Sequence, residues 1–86
     1  MKELTEFIVK AKKNTYASGL GKVESSRRLS TDLYYRENEY EYADSYFGAK
    51  EFSGQEVVYR DNLPVWSMNY YGKIIDKNFL LKYWNY

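Results

Sequence analysis

Two stretches of this chain alternate between apolar or aromatic and polar positions with a period of two. Each is interrupted once by a short polar turn, so each reads as a β-hairpin. In the stretch from Glu51 to Gly72 the turn falls at Asp61-Asn62. A two-residue loop there sets Arg60 opposite Leu63, Val58 opposite Val65, Val57 opposite Trp66, Glu56 opposite Ser67 and Gln55 opposite Met68. Opposed residues share a face, so Val57, Tyr59, Trp66, Met68 and Tyr70 are expected on one side. Glu56, Val58, Val65, Ser67, Asn69 and Tyr71 are expected on the other. The earlier stretch, Thr31 to Phe47, closes at Glu37-Asn38 and pairs Arg36 with Glu39, Tyr35 with Tyr40 and Leu33 with Tyr42. Leu33, Tyr35, Tyr40, Tyr42, Asp44 and Tyr46 then share a face, opposite Tyr34, Glu41, Ala43, Ser45 and Phe47. A four-residue connection, Gly48 to Glu51, sets Phe47 opposite Phe52 and Tyr42 opposite Val57. The two aromatic faces then coincide on one four-stranded antiparallel meander.

Outside the hairpins the period changes. Leu4, Phe7, Ile8 and Ala11 recur as one helical face, which predicts an amphipathic helix from Lys2 to about Thr15, ended by Ala17-Ser18-Gly19. Gly19 to Ser30 has no apolar period and reads as a loop. After Gly72, Asp76 suits an N-cap and Phe79, Leu80, Tyr83 and Trp84 form an apolar stripe, so a short C-terminal helix is expected. The fold class is therefore α+β: an N-terminal helix packed on a four-stranded antiparallel β-meander, with a short C-terminal helix, in a single small domain covering residues 1–86. The helix is expected over the Tyr42, Val57, Trp66 and Met68 face, with Trp66 deeply buried and Asp44 satisfied there by tyrosine hydroxyls or backbone N–H groups.

Composition narrows the chemistry. With 86 residues the core is thin, and with a net charge of +1 and interspersed signs there is no field to attract nucleic acid or an anionic membrane. Neither cysteine nor histidine is present, which removes disulfides, thiol nucleophiles and the commonest general base and metal ligand. No catalytic residue, metal site or cofactor is expected. The register also puts Asp44 and Glu56 on opposite faces, where they could not flank one bond. No apolar signal core and no run near the ~20 residues of a membrane span occurs, so a cytoplasmic protein is expected.

The 11 Tyr, 4 Phe and 2 Trp exceed what one small core buries, which points to rings at a pocket or an interface. On the face away from the helix, Ala43, Ser45, Gly54 and Ser67 are small. They leave a floor walled by Tyr34, Glu56, Asn69 and Tyr71, with Arg27 and Arg28 in the preceding loop available to an anionic ligand.

Four segments carry a resemblance: Tyr16-Ala17 after the helix, D-S-Y-F-G from Asp44 to Gly48, F-S-G-Q-E from Phe52 to Glu56, and P-V-W-S-M-N-Y-Y-G from Pro64 to Gly72. Together the chain resembles the N-terminal portion of a bacterial domain family of unknown function, sometimes found C-terminal to XRE-type helix-turn-helix regulators. The resemblance implies sensing or partner binding rather than catalysis. DNA binding does not carry over, because this chain has no helix-turn-helix. Members of that family continue into a second, similarly patterned sheet segment, so a homo-oligomer, most simply a two-fold dimer, is expected to supply the missing cover. The expected function is a non-enzymatic binding or regulatory module that recognises a small, nucleotide-like ligand through a Tyr-rich pocket at or near that interface. The alternative is a small protein inhibitor or regulator that meets a protein partner through the same aromatic surface.

Overall fold

The computed structural model describes residues 2–17, 20–76 and 79–85, with side chains for residues 2–16 and 20–74. Helix α1 spans Lys2–Lys12 and passes directly into a π-helical turn, Lys13–Ala17. Its apolar stripe is the one the spacing predicts: Phe7 and Ala11 are buried, and Leu4 and Ile8 pack beside them. Within the wider turn, Thr15 Oγ1 donates to the Ala11 carbonyl at 2.9 Å and Asn14 Nδ2 to the Lys10 carbonyl at 2.8 Å. The expected stop at Ser18-Gly19 lies outside the described residues.

The strands are β1 (Lys22–Val23), β2 (Thr31–Glu37), β3 (Tyr40–Gly48), β4 (Glu51–Arg60), β5 (Leu63–Asp76) and β6 (Phe79–Asn85). They lie side by side in chain order, every neighbouring pair antiparallel. This corrects the expected architecture. A five-stranded meander, β2 to β6, replaces the four-stranded one, and the two-residue β1 extends its edge. The C-terminal helix is absent: Asp76 ends β5 instead of capping a helix, and the segment beyond it pairs with β5 from Asp76↔Phe79 to Asn69↔Asn85. A short apolar run fits either period, and here the 14-residue β5 offers a long free edge whose backbone groups a strand satisfies and a helix does not.

Turn chemistry decides the register. Asp61 and Asn62 both take positive φ (49° and 69°), as the mirror-image hairpin turn requires. In the earlier hairpin the turn is Asn38-Glu39, with Asn38 at φ 56° and Glu37 paired to Tyr40. Each β2 residue therefore meets a partner two positions further along than expected, Tyr35 opposite Tyr42 and Leu33 opposite Asp44, an even slip that leaves both faces unchanged. The β3–β4 connection differs by one residue: Gly48, at φ 97°, pairs with Phe52, and a Cβ on Gly48 would lie 2.0 Å from the Glu51 carbonyl oxygen. An odd slip exchanges the faces of β4. Glu56 and Val58 turn towards α1, and Val57 and Tyr59 turn away. A β-bulge then intervenes, since Tyr59 pairs with Pro64 but Val58 pairs with Trp66, and it returns Trp66, Met68 and Tyr70 to the helix side.

The core is accordingly centred on Tyr42 and Val58, neither exposed at all, with Phe7 and Ala11 above them. Phe7 stacks on Tyr40 at 5.0 Å between ring centroids and leans on Tyr35. Trp66, expected at the centre, is only partly buried at the margin of this cluster. The register makes a direct prediction: Val58→Ala costs about 2 kcal/mol by urea denaturation, whereas Val57→Ala costs well under about 1 kcal/mol. The reverse ranking would restore the pairing expected from the sequence. Among the described residues no helix is long and apolar enough to cross a membrane.

Candidate functional site

The one-residue exchange on β4 brings together two groups expected on opposite faces. Asp44 and Glu56 are direct cross-strand partners on the helix side, 1 % and 2 % exposed. Tyr16, carried by the π-helical turn, donates to Asp44 Oδ2, and Tyr70 donates to Oδ1 at 2.7 Å. Tyr42 donates to Glu56 Oε2 at 2.7 Å. Lys12 Nζ stands 3.3 Å from Glu56 Oε1, an ion pair without hydrogen-bond geometry, so that oxygen accepts no hydrogen bond. Burial raises the Asp44 carboxyl above its ordinary range and the Glu56 charge adds to the rise, while the two tyrosine hydroxyls and Lys12 pull it back. Burial, reinforced by the adjoining carboxylates, likewise drives the Tyr16, Tyr42 and Tyr70 hydroxyls far above the usual phenol value, so they act as donors at any ordinary pH. The carboxylates share a face after all. They are buried beneath α1 and bonded to three tyrosine hydroxyls, and the separation by the sheet argued from the sequence does not hold.

Strand glycines make this cluster possible. Tyr70 on β5 reaches Asp44 on β3 by passing over Gly54 on β4, where a Cβ would lie 2.6 Å from the Tyr70 hydroxyl, 2.6 Å from the Ser45 carbonyl oxygen and 2.5 Å from Tyr46 Cβ. Phe52 covers Gly72 in the same way, and its ring meets Tyr70 edge-on at 6.3 Å. Gly54→Ala is therefore expected to cost about 2 kcal/mol in a denaturation titration, because a backbone carbonyl cannot swing aside as a side-chain tip can.

The other face of the sheet is open. Tyr34, Ala43, Val57 and Ser67 form one rung across β2 to β5. The next rung is Asp32, Ser45, Gln55 and Asn69, and the one beyond, from β3 to β5, is Phe47, Ser53 and Tyr71. Arg27 lies over Phe47, 4.8 Å from Cζ to the ring centroid, and with Phe47, Ser53, Gly54, Gln55 and Asn69 it lines a shallow depression of about 370 Å³. Asn69 Oδ1 accepts from Gln55 Nε2 at 2.8 Å, Tyr71 donates to Glu51, and Tyr34 donates to Glu41.

Of the residues expected to form a site, Arg27 and Asn69 meet at this depression and Tyr71 stands in the adjoining rung. Tyr34 is on the same face but three strands and two rungs from Tyr71, roughly 20 Å at the usual strand spacing and rise. Arg28 is exposed in the loop and does not line the depression, and Glu56 is on the opposite face altogether. Phe47, Ser53 and Gln55 were missed. Phe47 was legible on the open face, but Ser53 and Gln55 follow the parity of β4 that the connection at Gly48 exchanges. Among the described residues no group of three or more carboxylates gathers to hold a metal ion.

Residues 44–83 match a domain of unknown function (DUF5680), an uncharacterised domain family, and the match takes in the D-S-Y-F-G, F-S-G-Q-E and P-V-W-S-M-N-Y-Y-G segments. No curated protein and no solved structure matches the chain. Within the matched segment Asp44, Phe52, Gly54, Glu56, Met68, Tyr70 and Gly72 belong to the helix side, and Ser45, Phe47, Ser53, Gln55, Ser67, Asn69 and Tyr71 to the open face.

Proposed function

We propose that this chain is a non-enzymatic binding module whose recognition surface is the open face of the sheet. The observation that carries the reading is the sidedness of the sheet. Helix α1 covers one face, while the opposite face keeps partly exposed rings of Tyr34, Phe47, Tyr59 and Tyr71 and the amides of Gln55 and Asn69, with a depression lined by Phe47 and those amides. Rings with adjacent hydrogen-bonding groups are the composition of recognition surfaces. The titratable cluster at Asp44 and Glu56, by contrast, is spent on holding α1 and its π-helical turn to the sheet. The family resemblance suggests the same kind of role, a sensing or partner-binding unit of a bacterial regulator. A two-fold dimer through this face, sheltering its rings, belongs to the same proposal.

Native mass spectrometry of the protein purified from its own cells tests the reading. The expected result is a retained ligand or a second copy of the chain that Tyr71→Ala releases while Lys10→Ala, on the helix side, does not. A retained molecule released only by helix-side substitutions would overturn it.

A further inference from the structure

The loop before β2 reaches the open face through Arg27, and a buried carboxylate holds it there. Asp32 is 8 % exposed. Its oxygens accept from Ser26 N at 3.2 Å, Ser26 Oγ at 2.6 Å, Ser30 Oγ at 2.5 Å and Ser45 Oγ at 3.3 Å. Burial alone would raise this carboxyl, but those four donors outweigh it and hold it below the ordinary carboxylate range, so Asp32 is a fixed anion that organises the loop. Arg27 is not its partner. The guanidinium donates from Nη2 to Ser45 Oγ at 3.0 Å and lies on Phe47, and no carboxylate stands within ion-pair distance of it among the described residues. A guanidinium has five N–H donors. Arg27 therefore brings unused donors to the rim of the depression, its charge linked to that of Asp32 only through the shared Ser45 hydroxyl.

We propose that this depression binds a small planar heterocycle carrying a phosphate or carboxylate, the chemistry of a mononucleotide. The assignment rests on the open-face reading and narrows it. Arg27 takes the anionic group in a charge-assisted fork. The ring lies above Ser53 against Phe47, and Tyr71, outside the depression in the same rung, stands two strand spacings from Phe47, about 9.6 Å. That gap admits one ring at stacking distance, centroids about 4.5–7 Å apart, from an aromatic wall. The Gln55–Asn69 pair, in either orientation of its amides, leaves an acceptor beside donors, the complement of a base edge with adjacent donor and acceptor. Glu51, held by Tyr71 on the far flank, repels the anionic group and directs it to the Arg27 end. The volume of about 370 Å³ falls at the small end of ligand sites, about 300–1,000 Å³.

The test is a calorimetric titration of the full chain at low salt with the four nucleoside 5′-monophosphates, adenosine and inorganic phosphate as probes. At least one monophosphate is expected to bind tenfold or more tightly than adenosine or phosphate alone. Arg27→Ala should weaken it about tenfold to a hundredfold, the range of a lost charged hydrogen bond, while leaving adenosine unchanged. Arg28→Ala should have no effect, and Asn69→Ala should weaken the monophosphate but not inorganic phosphate. Affinity unchanged by Arg27→Ala, no response to any monophosphate, or a response equal to that of phosphate overturns the proposal. A retained ligand released by Tyr71→Ala but kept by Arg27→Ala would overturn this site and leave the recognition face standing.

Discussion

Tyr42→Ala is expected to leave the chain largely unfolded at room temperature. Tyr42 has no exposed surface, packs with Phe7, Ala11 and Val58, and donates its hydroxyl to buried Glu56. Truncating a buried aromatic ring costs about 3–5 kcal/mol. Stranding a buried carboxylate oxygen adds about 1–3 kcal/mol. A domain of 86 residues has a total stability of about 5–15 kcal/mol, so the sum consumes most of it. Tyr42→Phe separates the two contributions: it keeps the ring, removes the hydroxyl and should cost only the smaller amount. Circular dichroism during urea unfolding reads both. Equal losses for Ala and Phe would show that the hydroxyl, not the ring, holds this centre together.

Asp44→Ala should cost about 3 kcal/mol near neutral pH, because it strips the Tyr16 and Tyr70 hydroxyls of a shared acceptor. The loss should depend on pH with a definite sign. The folded-state carboxyl of Asp44 is raised, so between the ordinary carboxylate value and that raised value the folded chain binds more protons than the unfolded one. The contribution of Asp44 is then fully present below the ordinary value and diminishes as pH rises through the folded value. Asp44→Asn has no such proton to lose and keeps one acceptor oxygen. The stability gap between wild type and Asp44→Asn should therefore be widest in acid, below the ordinary carboxylate value, and narrow as pH rises through the raised folded value. Parallel profiles would show that Asp44 ionises in the fold as it does in the open chain. Asp32 runs the other way: its lowered carboxyl contributes above the ordinary value and is lost as pH falls, so the Asn comparison at position 44 is needed to isolate the first effect.

What the chain determined by itself was local. The 3.6-residue stripe of Phe7 and Ala11 and the two-residue turn at Asp61-Asn62 depend on residues within a few positions of one another, and both formed as read. The even slip at Asn38 changed partners without changing faces. What only the tertiary structure decided were parities and neighbours. One residue at Gly48 chose the face of β4, and one bulged residue near Val65 chose the face of β5 again. The positive φ of Gly48 permits the first choice locally, but which side chains then fit beneath α1 is a packing term summed over distant residues. Glu56 consequently moved from the expected site to the buried cluster, and Gln55 and Ser53 took its place on the open face. The apolar run after Asp76 fitted either period, and the free edge of β5 made it β6. Arg27 and Arg28 are equivalent in sequence. Asp32, by fastening Ser26 and Ser30 of the loop and Ser45 of β3, holds Arg27 over Phe47 and leaves Arg28 outside, because a hydrogen-bond network closes only where its partners meet in space.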